Sequence, residues 1–191
     1  MKENKNILLV GVGGQGTILA SKILTSGLIK AGYDVKMSEI HGMSQRGGSV
    51  STQVRYGEKV MSPIVGKGSA DVIVAFEEME ALRWIDHLKV GGKMVINDFR
   101  IQPVPVNLGK AEYPDDIIGH LKTVCEVQAF KAAEIAKELG NPKTMNIVLL
   151  GALIKSIGGL DDIDWDKEIE ENVKPKFVDI NKKAFHTGYD L

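Results

Sequence analysis

The fold class turns on residues 7–16, Ile7-Leu8-Leu9-Val10-Gly11-Val12-Gly13-Gly14-Gln15-Gly16. A short apolar run ending in glycine has the form of a buried parallel strand. The glycines follow the spacing G-x-G-x-x-G. Beyond them Ile18, Leu19, Ile23, Leu24 and Leu28 recur at helical intervals over residues 17–29. Ala31-Gly32 stops that helix, and residues 33–39 read as a second strand. Strand, glycine loop, helix and strand in that order predict a Rossmann-like βαβ opening, provided the strands are parallel.

Further along, residues 49–56 are β-prone, and Gly57-Glu58 offers a turn into residues 59–62, which predicts an antiparallel hairpin inserted in the sheet. Residues 71–76 and 93–98 are buried-type strands with a helix over 77–88 between them, ended by Gly91-Gly92. The acids of Glu77-Glu78-Met79-Glu80 suit the positive end of that helix. Residues 101–109 carry Pro103 and Pro105 and read as extended or loop. A strand is expected over 123–127 and helices over 130–139, 145–157, 165–172 and 175–185. The helix over 145–157 is apolar almost all round and belongs in the core or an interface. The alternation predicts an α/β fold of three layers around a mixed, mostly parallel sheet.

Bulk properties narrow the function. The 191 residues suit one domain, or one with a small appendage. Lys plus Arg number 24 against 25 acids, so there is no electrostatic case for nucleic acid or an anionic membrane. No apolar run spans a bilayer, and the first residues do not form a signal peptide, so a cytoplasmic location is expected. The single cysteine, Cys125, rules out a disulfide framework within the chain and a multi-cysteine metal or iron–sulfur site. It reads as a small buried residue on the 123–127 strand.

Two loops carry the candidate chemistry. At the first, Gly11, Gly13, Gly14 and Gly16 let the backbone approach an anion at a helix N-terminus, with Gln15 among them. A dinucleotide site would also need an acid closing the second strand, about 20 residues on. Asp34 opens that strand, and Glu39 closes it slightly late. A ligand-free tight turn, a dinucleotide site and another anion site all remain open. The second loop lies within residues 38–50 and crowds polar heads around glycines: Glu39, His41, Gly42, Ser44, Gln45, Arg46, Gly47 and Gly48. Arg46 suits a carboxylate or phosphate, His41 proton transfer, and Glu39 the orientation of either. No zinc-protease spacing, nucleophile elbow or phosphate-binding loop with its lysine is present, and no metal site is expected.

These stretches, Gly11 to Gly16 and Glu39-Ile40-His41-Gly42-Met43-Ser44-Gln45-Arg46-Gly47-Gly48-Ser49-Val50, resemble the gamma-type subunit of 2-oxoacid:ferredoxin oxidoreductases. The form is most similar to the small (beta) subunit of the indolepyruvate-specific type. Matches continue through Ser62-Pro63, Ala70-Asp71, Glu77, Glu80-Ala81-Leu82-Arg83, Asn181, Ala184-Phe185 and Gly188. The resemblance implies one gamma-type domain over 1–191, inactive alone, in a hetero-oligomer with a large (alpha) subunit. The reaction implied is oxidative decarboxylation of a 2-oxoacid with coenzyme A, giving acyl-CoA, CO₂ and reduced ferredoxin. Thiamine diphosphate, magnesium and [4Fe–4S] clusters are implied in the partner, with none bound by this chain alone. The glycine loop and Arg46 are then expected to meet an anionic group such as a coenzyme A phosphate. Three alternatives stay open: a subunit of the same family serving pyruvate, branched-chain 2-oxoacids or 2-oxoglutarate; a stand-alone NAD(P)-binding oxidoreductase; and a non-catalytic structural or regulatory subunit.

Overall fold

The computed structural model describes residues 4–42 and 47–191. Its elements in chain order are β1 (Lys5–Val12), α1 (Thr17–Lys30), β2 (Asp34–His41), β3 (Ser49–Gly57), β4 (Ala70–Ala75), α2 (Glu78–Trp84) and β5 (Leu88–Asn97). There follow α3 (Val104–Asn107), α4 (Ile117–Val124), β6 (Glu126–Phe130), α5 (Ala132–Glu138), α6 (Met145–Ile157), α7 (Trp165–Asn172) and α8 (Val178–Tyr189). Six strands form one sheet in the order β2-β3-β1-β4-β5-β6. β1, β4, β5 and β6 pair in parallel, and β3 runs antiparallel to both β1 and β2.

Successive buried side chains of the parallel strands point to opposite faces of the sheet. Ile7, Leu9, Val72, Val74 and Val95 face a core shared with α1, α5, α6, α7 and α8. Leu8, Val10, Ile73, Ala75, Met94 and Ile96 face a smaller core with Ala81 of α2 and Ile117 and Leu121 of α4. Helices on both faces make three layers, as predicted. All ten residues from Met145 to Ile154 of α6 are buried, as its almost wholly apolar composition requires. α6 meets α8 at two glycines: a Cβ on Gly151 would lie 2.1 Å from the Phe185 carbonyl, and one on Gly188 1.9 Å from the Val148 carbonyl. The two backbones touch there.

The structure corrects several expectations. β1 and β2 run in the same direction but are not neighbours, because β3 lies between them. The hairpin partner of β3 is β2, with Asp34 opposite Gly57 and His41 opposite Val50. Residues 59–62 form no strand. Their segment lies across the sheet face because side chains take up its backbone groups. Asp34 accepts from the Val60 N–H (2.8 Å), Arg55 donates to the Ser62 carbonyl (3.1 Å), and Gln53 accepts from the Val65 N–H (2.6 Å). Gly91-Gly92 lies inside β5, where the pairing with β4 shifts register between Ala70 and Val72. α2 ends at Trp84, and a single 3-10 turn follows it. Residues 104–107 form a short helix within the region expected to be extended. Cys125 sits between α4 and β6, half-buried, with its thiol 3.4 Å from the Leu121 carbonyl. The expected 123–127 strand straddles that helix end.

At the opposite edge of the β1–β4 pair from the glycine loop, Asp71 is buried among donors. It accepts from the Asn6 N–H (2.8 Å), Lys5 (3.2 Å) and Lys89. Burial pushes its carboxyl up, but the Lys89, Asn6 and Lys5 contacts outweigh that and hold it below the usual carboxylate range. A depressed carboxyl stabilises the fold above its unfolded value, about pH 4, and that stability is lost as pH falls through the folded value. Asp71→Asn is therefore expected to cost about 2 kcal/mol at pH 7. The gap between variant and wild type should narrow as urea unfolding is followed below about pH 4.

Candidate functional site

The two loops singled out by the sequence meet at the carboxyl ends of β1 and β2. The Gly13 N–H donates to the Gly48 carbonyl (2.9 Å) and fastens one loop to the other. Beside this bond lies a cleft of about 450 Å³ lined by Gly13, Gly14, Gly16, Thr17, Ile18, Glu39, His41 and Val50. Gly16 takes the left-handed conformation (φ +82°) that turns the chain into α1, and a Cβ there would press within 2.7 Å of the Asn146 amide nitrogen. Gly14 also has positive φ (+104°) but faces open space. Among the described residues no side chain caps α1, and no acid occupies its first turn, so its first N–H groups face the cleft without a described acceptor. Glu39 and His41 alternate on β2 with Ser38 and Ile40, which places both on the face toward α1. The imidazole Nδ1 of His41 lies 3.3 Å from the Gly42 carbonyl. A positive helix end thus shares one cleft with a carboxylate and an imidazole. Such a set suits a ligand that carries both an anionic group and hydrogen-bond donors.

Other predicted residues fall elsewhere. Gly11 does not face the cleft, since a Cβ there would meet the Gln15 side chain at 2.8 Å and Phe76 at 2.9 Å. Gln15 folds inward: its Oε1 accepts from the Val12 N–H (2.7 Å) and its Nε2 donates to the Phe76 carbonyl (2.9 Å). Gly42 and Gly47 are exposed at the loop ends, and Gly47 has φ +77°. Ser44, Gln45 and Arg46 lie outside the described residues. Thr17, Ile18 and Val50 line the cleft without having been singled out. The first two follow the motif directly, and Val50 is opposite His41 in the β2–β3 register.

Three buried glutamates stand next to this site. Glu77 caps α2 by accepting from the Glu80 N–H (3.0 Å), and its other oxygen accepts from the Tyr113 hydroxyl (2.6 Å) and the Ile101 N–H (3.1 Å). Glu78 pairs with Arg100 (3.0 Å). Glu80 accepts from the Ser49 hydroxyl (2.6 Å) and from Arg83 (2.9 Å). Burial pushes the carboxyls of Glu78 and Glu80 up, against the pull of Arg100 on the first and of Ser49 and Arg83 on the second.

The geometry weighs against a dinucleotide site. In open α/β sheets the ligand crevice opens where neighbouring strands send their helices to opposite faces. Here that place is between β1, which leads to α1, and β4, which leads to α2. The Gln15 amide bridges it. β3 also separates β2 from β1, so Glu39 stands two strand spacings, roughly 10 Å, from the glycine strand. An acid so placed cannot hold a ribose whose phosphates rest on the α1 N-terminus in the usual way.

Fold and site together define an α/β protein with a Rossmann-like opening, a closed dinucleotide crevice and an anion-compatible cleft displaced toward the β2 edge. The chain belongs to the pyruvate ferredoxin/flavodoxin oxidoreductase family, whose model matches residues 6–191. It is 45% identical to a Pyrococcus horikoshii protein described as indolepyruvate oxidoreductase subunit IorB, over 98% of this chain and 95% of that one. It is 44% identical to a Thermococcus kodakarensis protein of the same description, over the same shares. Its fold matches the gamma subunit of a keto/oxoacid ferredoxin oxidoreductase from Geobacter sulfurreducens, at 25% identity and TM-score 0.71, over 97% of this chain and 96% of that one.

Proposed function

We propose that this chain is the small subunit of an indolepyruvate (arylpyruvate):ferredoxin oxidoreductase and is inactive without a large partner subunit. The observation that carries this reading is the 45% identity, along nearly the full length of both chains, to a protein described as an indolepyruvate oxidoreductase subunit. The reaction is oxidative decarboxylation of the 2-oxoacid with coenzyme A, yielding acyl-CoA, CO₂ and two electrons for ferredoxin. Thiamine diphosphate supplies the carbanion chemistry when bound.

A four-iron cluster does not fit this chain. It needs four thiolates, whereas the one cysteine, Cys125, is half-buried with its thiol pushed up by burial. The clusters are therefore assigned to the partner, and thiamine diphosphate is placed with them as part of the same reading. This chain's part is the cleft. The N–H groups opening α1 receive an anionic group of coenzyme A, and Glu39 accepts from one of its hydroxyl or amide donors. His41 closes the outer wall, and Arg46, outside the described residues, is assigned as a further cation for the same anionic group.

The test is reconstitution with the large subunit under anaerobic conditions. The complex should reduce ferredoxin in the presence of indolepyruvate and coenzyme A, and either subunit alone should not. Glu39→Gln should raise KM for coenzyme A roughly tenfold with kcat little changed, the size of one lost charged hydrogen bond, and His41→Ala, which opens the outer wall, should also raise KM. Full activity of the large subunit alone would refute the subunit role. Failure of the variants to assemble would make the cleft an assembly surface.

A further inference from the structure

We propose that Glu80 is a positioning residue for the cleft, holding the wall formed by the start of β3 through the hydrogen bond it accepts from Ser49. The inference rests on reading the cleft as the ligand-facing site. Glu80 is only 2% exposed and belongs to the first turn of α2, yet α2 does not need it as a cap, because Glu77 already fills that place. An apolar side chain would pack the same position without the cost of burying a carboxylate. What Glu80 does instead is reach out of its helix.

One of its oxygens accepts from the Ser49 hydroxyl at 2.6 Å, the short distance of a charge-assisted bond, and the other is held by Arg83 at 2.9 Å. Ser49 is paired opposite Val12 at the end of β1. On one side of Ser49, the Gly48 carbonyl accepts from the Gly13 N–H at 2.9 Å. On the other side, Val50 lines the cleft opposite His41. One carboxylate therefore fixes the residue at which the glycine loop, β3 and β2 come together. Glu80 touches no ligand position itself and acts through Ser49.

Hydrogen exchange on the full-length chain tests the positioning, and kinetics on the complex with the large subunit test its use. Ser49→Ala and Glu80→Gln should speed amide exchange in residues 47–51 and 12–14 about tenfold, while β4 and β5 exchange as in the wild type. Ser49→Thr keeps the hydroxyl and should restore wild-type exchange. In the complex, Ser49→Ala should raise KM for coenzyme A severalfold at near-normal kcat. Unchanged exchange in 47–51, or a uniform increase that includes β4 and β5, overturns the proposal. Should Glu80→Gln not fold, Ser49→Ala gives the same answer. Faster local exchange with an unchanged KM upholds the positioning role and removes coenzyme A from the cleft.

Discussion

Gly188→Ala should leave little folded protein. The added methyl has nowhere to go, because its carbon would lie 1.9 Å from the Val148 carbonyl oxygen and 3.0 Å from the Val148 Cα. Both obstacles are backbone, so no rotamer change relieves them. α8 must move away from α6, and α6 is the helix that fills the larger core between Met145 and Ile154. Overpacking in a well-packed core costs about 1–3 kcal/mol when side chains can yield, and a backbone clash belongs at or above the top of that range. That is a large part of the stability of an ordinary domain. Urea denaturation should show a midpoint lowered by more than 1 M, or no cooperative transition. A wild-type midpoint would mean that the two helices are not in contact at Gly188. Gly158→Ala makes a useful contrast: a Cβ there meets nothing within 4 Å, so only the strain of its positive φ is added.

The second large effect is expected at Glu77. Glu77→Ala deprives three donors of their acceptor at once: the Glu80 N–H, the Tyr113 hydroxyl and the Ile101 N–H. Each donor left unsatisfied costs on the order of 1 kcal/mol or more, so the total should be about 3 kcal/mol. The loss is also spatially specific. Ile101 and Tyr113 bracket the connection from β5 to α4, so that connection should lose protection from exchange before the sheet does. Glu77→Gln keeps one acceptor oxygen and should recover part of the stability. If Glu77→Ala unfolds at the wild-type denaturant concentration, the hydrogen bonds are not worth what their burial implies.

The sequence was most informative where one local signal acted alone. The apolar stretch over 145–157 had no competing period, and the helix occupies those residues. The run Ile7-Leu8-Leu9-Val10 ending in glycine likewise became the central strand, with α1 behind the glycine loop. Pairing between distant segments was not legible. Gly57-Glu58 reads as a hairpin turn, but Asp34, Gln53 and Arg55 draw the following residues across the sheet face. Nothing in the local pattern announces three long-range hydrogen bonds. The strand expected around Cys125 failed for a related reason. Its β-prone residues span the end of α4 and the start of β6, and propensity does not mark that boundary.

At the candidate site the result divides in the same way. Gly13, Gly14, Gly16, Glu39 and His41 do line one cleft. Gln15 looked like a ligand-facing polar residue, and only the geometry reveals its inward amide. Glu77, Glu78 and Glu80 read only as acids suited to the positive end of a helix. Their burial was not legible there, because it depends on distant segments bringing Tyr113, Arg100 and Ser49 to them.

The inward fold of Gln15 bears on how the glycine spacing of this chain is read. The glycine spacing by itself admits a nicotinamide dinucleotide. The distinguishing character is the side chain between Gly14 and Gly16, whose amide spans from the Val12 N–H to the Phe76 carbonyl. In this chain that glutamine fills the crevice and the antiparallel β3 stands beside β1, so the glycine loop offers a ligand its helix end and not its crevice.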